Sequence, residues 1–325
     1  YYEVLKNASP YAVAQDLQKL GIVSNSFLGT RFFYWYGRLT GRTHRIKAGD
    51  YRFQTTMKPS EVYNILMSGI SYGIGLTVPE GFNIEQISVL LEGLRPGSGQ
   101  RFIALCHNAK FVRTLDIPLP TNVPNQAITP EGYLFPDTYI INRKTTEEEI
   151  IRNMVKKYRI TFTPDMTKQA QKLGFSEHQI VTLASVIEKE TGAAEERPKI
   201  SSVFHNRLRK MMKLQSDPTV VYGREDFDGN IRKTDLSMPS PWNTYVIKGL
   251  PVGPIANPGK DALYAALHPD TTPYIFFVSH NDGTHEFTVT YKEHQNAVNK
   301  FQIDRRAREG KSWRDLKKAA PLKNQ

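Results

Sequence analysis

The stretch Ala184-Ser-Val-Ile-Glu-Lys-Glu-Thr191 places two carboxylates, Glu188 and Glu190, near the end of a strongly patterned helix. Ser176 and Gln179 have the spacing of a capping box, and Phe175 with Ile180 that of a hydrophobic staple, so the helix start is pinned. Ile180, Leu183, Ala184 and Ile187 then recur at helical spacing and mark an apolar face. At about 100° per residue, Glu188 falls between the directions of Val181 and Ala184, on the flank of that face. A carboxyl there is partly desolvated, which raises its pKa and lets it hold a proton near neutral pH. Such a group can act as general acid toward a glycosidic oxygen. Glu190 falls on the opposite flank, beside Leu183, and geometry alone does not choose between the two. An ordinary exposed turn also fits, because Glu is a good helix former and Gly192 stands where the helix would end.

Two further polar clusters have the character of a substrate groove. Leu214-Gln-Ser-Asp-Pro-Thr219 offers Gln215 and Asp217, although Asp217 also fits the N-cap of a helix opened by Pro218. Trp242-Asn-Thr-Tyr245 lies in a loop rich in Pro and Gly. Flat ring faces stack on sugars and amides satisfy hydroxyls, and loops carry function more often than cores do. The same Trp and Tyr would also serve to cover a core. Leu250-Pro-Val-Gly-Pro-Ile255 reads as a rigid turn system. Cys106 is the single cysteine, so no intramolecular disulfide forms, and its apolar surroundings read as a buried inert thiol. No His-x-x-x-His or Cys-x-x-Cys spacing occurs among the eight histidines, so no metal site is expected.

The elements that must position these residues can be read in outline. A chain of 325 residues has room for two or three domains. Ser9-Pro10 opens a helix that Gly21 stops. Lys47–Phe53 is strand-like and leads into a helix over Pro59–Ser68 ended by Gly69. Leu76-Thr-Val78 reads as a strand, and Asn83 with Gln86 caps a helix through Leu91. Strand, turn and capped helix thus recur in modules of about forty residues. A boundary is expected in the Pro-rich stretch Ile117–Pro124. Helical patterns dominate from Thr146 to about Lys213. Tyr274–Val278 and His285–Val289 flank Asn281-Asp-Gly283, a hairpin signal, and Thr290 with Glu293 caps a last helix. The expected class is α+β: small N-terminal α/β modules, then a mostly helical domain carrying a β-hairpin.

The net charge is +11, and residues 300–325 hold nine Lys/Arg against three Asp/Glu, a surplus of 9 − 3 = +6. That end is either a solvated tail or a contact for an acidic polymer or membrane surface. Elsewhere aromatic and basic residues do not interleave in a nucleic-acid pattern, so no nucleic-acid partner is expected. There is no apolar run of the ~20 residues that span a bilayer and no signal-peptide pattern. The chain opens at Tyr1 without Met, which leaves its native location undetermined.

Several motifs occur together in one order: Ala184–Thr191, Glu196-Arg197, Phe204-His-Asn-Arg-Leu208, Leu214–Gly223, Asn243-Thr-Tyr245 and Gly249–Ile255. Ala48-Gly-Asp-Tyr-Arg-Phe53 and Glu131-Gly-Tyr-Leu-Phe-Pro-Asp-Thr-Tyr139 extend the set across nearly the whole chain. In this the sequence resembles the endolytic murein transglycosylases of the MltG (YceG-like) family. The resemblance implies an α/β module at 1–70, a LysM-like glycan-binding module and linker at 71–125, a catalytic domain at 126–305 and a basic tail at 306–325. It implies that Glu188 is the catalytic residue. Gln215, Asn243, Thr244 and Tyr245 match positions lining the family's groove, and Asp217, Glu190 and Tyr133 complete the expected substrate contacts. Two departures are mild: His205 stands where an apolar residue is common, and Trp242 precedes Asn243.

The implied activity is cleavage of the MurNAc-GlcNAc β-1,4 bond of peptidoglycan strands to leave 1,6-anhydro ends, with no cofactor. The implied setting is the periplasmic face of the inner membrane, through a single-pass anchor before Tyr1, with glycan synthases or penicillin-binding proteins as partners. Two other readings stay open. A hydrolytic muramidase would need a second carboxylate, for which Asp217, Glu190 and Glu131 are available. A non-catalytic peptidoglycan-binding scaffold would need no acid at all.

Overall fold

A computed structural model describes residues 1–24, 26–55, 57–69, 72–120, 128–224 and 227–303. The expected basic tail at 306–325 and part of the Pro-rich boundary, residues 121–124, lie outside the described residues. Contacts divide the chain into two compact units, Tyr1–Leu76 with Tyr139–Thr146, and Thr77–Thr138 with Glu147 onward.

The first unit runs β1 (Tyr2–Val4), α1 (Pro10–Lys19), α2 (Gly29–Leu39), β2 (Gly49–Tyr51) and α3 (Pro59–Ser68). β1 and β2 pair antiparallel, with Tyr2 opposite Tyr51 and Val4 opposite Gly49. The start of α1 is as its sequence dictates: Ser9 accepts from the Ala12 N–H at 3.1 Å, and Pro10 sits where its missing N–H costs nothing. Val13, Leu17, Phe33, Tyr63 and Leu66 form the core. Phe33 and Tyr63 stack at 4.4 Å, and the Tyr63 hydroxyl donates to the Phe33 carbonyl. A Cβ on Gly37 would lie 2.0 Å from that hydroxyl, so the close approach of α2 and α3 requires glycine there.

β3 (Ile74–Thr77) and β4 (Thr138–Ile141) pair with each other and carry the chain out of the first unit and back. The second unit opens with α4 (Ile84–Leu94), α5 (Ser98–Cys106) and α6 (Ala109–Val112). The expected capping box of Asn83 and Gln86 is present on α4. These helices belong to the same compact unit as the helices from Glu147 onward. The reason is polar as well as apolar. Glu147, at the start of α7 (Glu147–Thr161), accepts from Ser98, Arg95 and Arg101 at 2.6–2.9 Å. Against the upward push of burial, these bonds bring its carboxyl down to about 2.

The chain continues through α8 (Pro164–Lys172), α9 (Glu177–Glu190), α10 (Arg197–Arg209), α11 (Pro218–Val221), α12 (Lys233–Leu236) and α13 (Lys260–Leu267). β5 (Phe276–Ser279), β6 (His285–Thr288) and α14 (Tyr291–Val298) follow. The hairpin expected around Asn281-Asp-Gly283 forms, with Phe276 opposite Thr288 and Ser279 opposite His285. Asn281 and Gly283 both take positive φ, as a tight turn there demands. The Thr290–Glu293 box caps α14. The chain is thus α+β, with small antiparallel sheets among helices.

Candidate active site

Helix α9 is the axis of the site. The Ser176 hydroxyl accepts from the Gln179 N–H at 3.2 Å, and the Gln179 side chain accepts from the Ser176 N–H at 2.8 Å. The capping box therefore fixes where the helix begins. The expectation of one apolar face understates its burial: every residue from Ile180 to Ile187 is buried. A helix enclosed on all sides belongs to the centre of a core. Its polar side chains turn inward onto neighbouring backbone, Thr182 donating to the His178 carbonyl and Ser185 to that of Thr182. Ser185 also accepts from the Ile255 N–H at 3.0 Å, which ties the Pro/Gly-rich turns to the helix. Glu188 and Glu190 are the first acidic side chains where the core releases the chain. They stand about 200° apart around the axis and so leave it in opposite directions.

Glu188 turns toward charge. Its carboxylate accepts from the Gly259 N–H, at the start of α13, at 3.1 Å and from the Arg197 guanidinium at 3.3 Å. Its side chain is only 7% exposed. Arg197 also faces Glu80 at 3.9 Å and Asp261 at 3.8 Å. Burial, together with the Glu188 carboxylate, pushes Glu80 above the usual carboxylate range. A Cβ on Gly259 would fall 1.9 Å from a carboxylate oxygen of Glu80, the end of a half-exposed side chain that would have to swing aside.

Glu190 turns toward space. It borders a cavity of about 580 Å³ whose wall also holds Arg207, Gln215, Asp217, Tyr245 and aromatic residues of β5 and α14. The Ser216 hydroxyl donates to its carboxylate at 2.5 Å. Glu190 opens to the cavity on one side and is crowded by protein on the others. Burial pushes its carboxyl up to about 7, the Asp217 carboxylate adding to the rise, with the Ser216 hydroxyl and the Arg207 guanidinium opposing it. A carboxyl that titrates near neutrality, beside a cavity, can give a proton and take one back.

The rest of the wall is held by backbone. Arg207 donates to the carbonyls of Ile275 and Leu214, each at 2.7 Å, and its guanidinium lies over the Phe276 ring at 5.2 Å. Gln215 has φ +51°, a conformation a non-glycine residue holds only when its surroundings enforce it, and its N–H donates to the Thr244 carbonyl. Asp217 stands at the start of α11 but caps nothing with its side chain. Its carboxylate instead accepts from the Tyr245 hydroxyl at 2.7 Å.

Of the residues expected from sequence, the cavity thus gathers Glu190, Gln215, Asp217 and Tyr245. Asn243 and Thr244 do not reach it. Asn243 is buried and spends its amide on the carbonyls of Asp235, Leu236 and Met238, while its oxygen accepts from the Tyr245 N–H. Thr244 is buried against Ser216 and Thr219. Both shape the loops that carry Gln215 and Tyr245. Tyr133 lies elsewhere, buried, with its hydroxyl bonded to the Pro118 carbonyl at 3.0 Å and His178 at 2.8 Å. Sequence reasoning missed Ser216 and Arg207 as partners of the acid. Both stood in motifs already noted, but nothing in their spacing from Glu190 announced the contact.

Glu131, one of the carboxylates considered as a second acid, is closed off. It is 1% exposed and accepts from the Ile84 N–H at 3.1 Å, the Tyr222 hydroxyl at 3.1 Å and the Asn257 amide at 2.7 Å. Burial pushes it up to about 8, although the Ile84 and Tyr222 hydrogen bonds pull the other way. Cys106 is buried in the same region, and burial raises its thiol well above the usual range.

Comparison with known proteins identifies the family. The sequence profile of the YceG-like family matches residues 2–300. The endolytic murein transglycosylase of Bacillus subtilis (strain 168) is 35% identical over 305 residues, covering 90% of this chain and 82% of that protein. The endolytic murein transglycosylase of Streptococcus pneumoniae serotype 2 is 27% identical over 310 residues, covering 88% of this chain. The chain spans just over half, 55%, of that pneumococcal protein's length. The crystal structure of a yceG-like protein from Listeria monocytogenes superposes with a TM-score of 0.63 at 28% identity, over 90% of this chain and 97% of that one.

Proposed function

The chain belongs to the YceG-like family, and on that premise we propose that it is an endolytic lytic transglycosylase of peptidoglycan. The observation that carries the chemistry is Glu190: a carboxyl near neutral pKa, hydrogen-bonded by one hydroxyl and open to a cavity of about 580 Å³. Protonated, it donates to the oxygen joining N-acetylmuramic acid to the next N-acetylglucosamine, and the muramyl centre takes on oxocarbenium character. As carboxylate, it then removes the proton from the muramyl C6 hydroxyl, whose oxygen closes the 1,6-anhydro ring. One residue serves both steps. The attack is intramolecular, so positioning supplies much of the acceleration. Arg207 and Asp217 set the charge around the acid, and Gln215 and Tyr245 offer amide and hydroxyl to a sugar.

The resemblance assigned the acid to Glu188. Its anchoring to Arg197 and the Gly259 N–H instead supports a positioning role, holding the end of α9 so that Glu190 meets the cavity. The test is mass spectrometry of muropeptides released from purified sacculi by wild type, Glu190→Gln and Glu188→Gln. Anhydro-muropeptides from wild type and Glu188→Gln, with none from Glu190→Gln, are expected. Loss confined to Glu188→Gln would return the acid to Glu188. Reducing-end muramic acid from wild type would make the enzyme a muramidase, and no release at all would favour the scaffold reading.

The proposal extends in coarser terms to the rest of the chain. An enzyme of murein acts in the cell envelope. A periplasmic catalytic part at 126–305, an inner-membrane anchor before Tyr1 and synthase partners follow the resemblance. No helix among the described residues is long and apolar enough to cross a membrane. A LysM-like, glycan-binding role at 71–125 likewise follows the resemblance.

A further inference from the structure

Helix α2 carries an apolar stripe that the first unit does not cover. Gly29, Thr30, Phe33 and Gly37 face the core. On the other side, Leu28, Phe32, Trp35 and Leu39 follow one another at helical spacing, and all four are exposed, Phe32 at 65% and Leu39 at 82%. Phe27, just before the helix, is 94% exposed. Five large apolar side chains within thirteen residues make a contiguous patch, which on a soluble protein marks an interaction surface. Leu28 and Phe32 also border an apolar groove of about 550 Å³ that reaches in to Val23, Met57 and Val62.

The charge around the stripe has one sign. Between Asp16 and Asp50 there is no acidic residue, and beside Lys19, which pairs with Asp16 at 3.0 Å, Arg31, Arg38, Arg42, Arg45 and Lys47 supply five more cations. All but Arg42 are exposed. Arg31 and Arg38 lie along one edge of the stripe, and the Arg38 guanidinium sits over the Trp35 ring at 5.3 Å. Aromatic and aliphatic side chains on one face of a helix, edged by arginine, are the composition of a helix that lies in a bilayer interface. A row of cations with no acid among them complements anionic headgroups.

We propose that α2 is a membrane-docking helix that lays Phe27, Leu28, Phe32, Trp35 and Leu39 into the interface of an anionic bilayer. A glycan fits the stripe less well. Sugar hydroxyls need amide or carboxylate partners, and the segment from Phe27 to Leu39 holds no Asp, Glu, Asn or Gln. A second copy fits less well too, since two such faces would bring like charges together.

The test is flotation of the full 325-residue chain with vesicles of phosphatidylglycerol and phosphatidylethanolamine in equal parts, and with phosphatidylcholine vesicles. Two variants are compared, Phe32→Ser/Trp35→Ser/Leu39→Ser and Arg31→Glu/Arg38→Glu. Both keep the basic residues 300–325, so any loss belongs to α2. All the substituted side chains are exposed, and unchanged circular dichroism and melting confirm that the variants fold. Wild type is expected to float with the anionic vesicles and to be released by high salt. Each variant is expected to bind about tenfold or more weakly. Brominated lipid should quench fluorescence in wild type, with that component lost in Trp35→Phe. Absence of flotation, or flotation equal in wild type and both variants, would overturn the proposal. So would co-sedimentation with purified sacculi that the same variants abolish while vesicles bind none of them, which would make the stripe a glycan-stacking face.

Discussion

Glu131 and Glu190 are both carboxyls whose protons burial holds up to about 8 and about 7, yet their surroundings differ in what they leave open. Glu131 meets three donors from three parts of the chain: the start of α4, Tyr222 after α11, and Asn257 before α13. Asn257 is itself saturated, its amide nitrogen also donating to the Phe82 carbonyl, its side-chain oxygen accepting from the Leu134 N–H and its own carbonyl accepting from the Gly81 N–H. Nothing remains for a substrate. Glu190 meets the Ser216 hydroxyl and a cavity. A raised pKa therefore marks a functional acid only where the carboxyl keeps both a free direction and access. Where it has neither, the same shift is a property of the fold.

The sharpest test of that distinction replaces each acid by its amide. Glu190→Gln should lower glycan cleavage by about 10²- to 10⁴-fold, the range for losing a general acid, with the melting temperature not lowered. Glu131→Gln should retain cleavage per folded molecule. Its NH₂ must face one of three donors, so its cost appears in stability, at roughly 1–3 kcal/mol for an unsatisfied buried group. Turnover of sacculi measured beside thermal unfolding separates the two. If Glu131→Gln loses turnover while its melting is unchanged, the buried knot is part of the chemistry.

A second difference is readable in pH. Both folded-state values lie above the roughly 4.3 of an unfolded glutamate, so between about 4.3 and 8 the native state binds more protons than the unfolded one. Their contribution is present below the unfolded value and is lost as pH rises through the folded values. Stability measured by urea unfolding should therefore fall with rising pH across this window, by up to ~1.4 kcal/mol per pH unit for each group. Glu131→Gln should flatten that fall up to about pH 8, and Glu190→Gln only up to about pH 7. Equal slopes in wild type and Glu131→Gln would mean that Glu131 is ionised in the fold.

Glu188 supplies a third, smaller contrast. Glu188→Gln keeps an acceptor for the Gly259 N–H but removes the charge that meets Arg197. The expected loss in kcat/KM is about tenfold or less, the size of a misplaced neighbour and not of a missing acid. The alkaline limb of the rate profile should stay in place, because Glu190 still titrates. A loss matching that of Glu190→Gln would make the two carboxylates equal partners.

Much of the scaffold was legible because its signals are local. Ser176 and Gln179, Asn83 and Gln86, Thr290 and Glu293 each set a helix start with two residues three apart. The hairpin followed from Asn281-Asp-Gly283 between two strand-like runs. The choice between Glu188 and Glu190 was not legible, since both sit on flanks of the same periodic pattern. What separates them lies far off in the chain: Ser216 and Tyr245 on one side, Gly259 and Glu80 on the other. Periodicity also misread α9 as one-faced, because a helix sheathed by its neighbours keeps some polar residues bonded to its own backbone, as Thr182 and Ser185 are. The type of Asn243 drew attention for the wrong reason. Its amide is fully used by three carbonyls, which a sequence does not show.

The smallest expected effect tests the cavity side alone. The Ser216 hydroxyl pulls the Glu190 pKa down by stabilising the carboxylate, while burial and Asp217 push it up. Ser216→Ala removes the only hydrogen bond given to that carboxyl among the described residues and leaves the cavity otherwise intact. The folded pKa of Glu190 should then rise above about 7. Because the protonated form is the donor, the alkaline limb of kcat/KM against pH should move upward, by less than about one unit, with little change on the plateau. An acid at Glu188 makes no contact with Ser216, so its limb would not move. Ser216→Ala therefore distinguishes the two carboxylates without removing either.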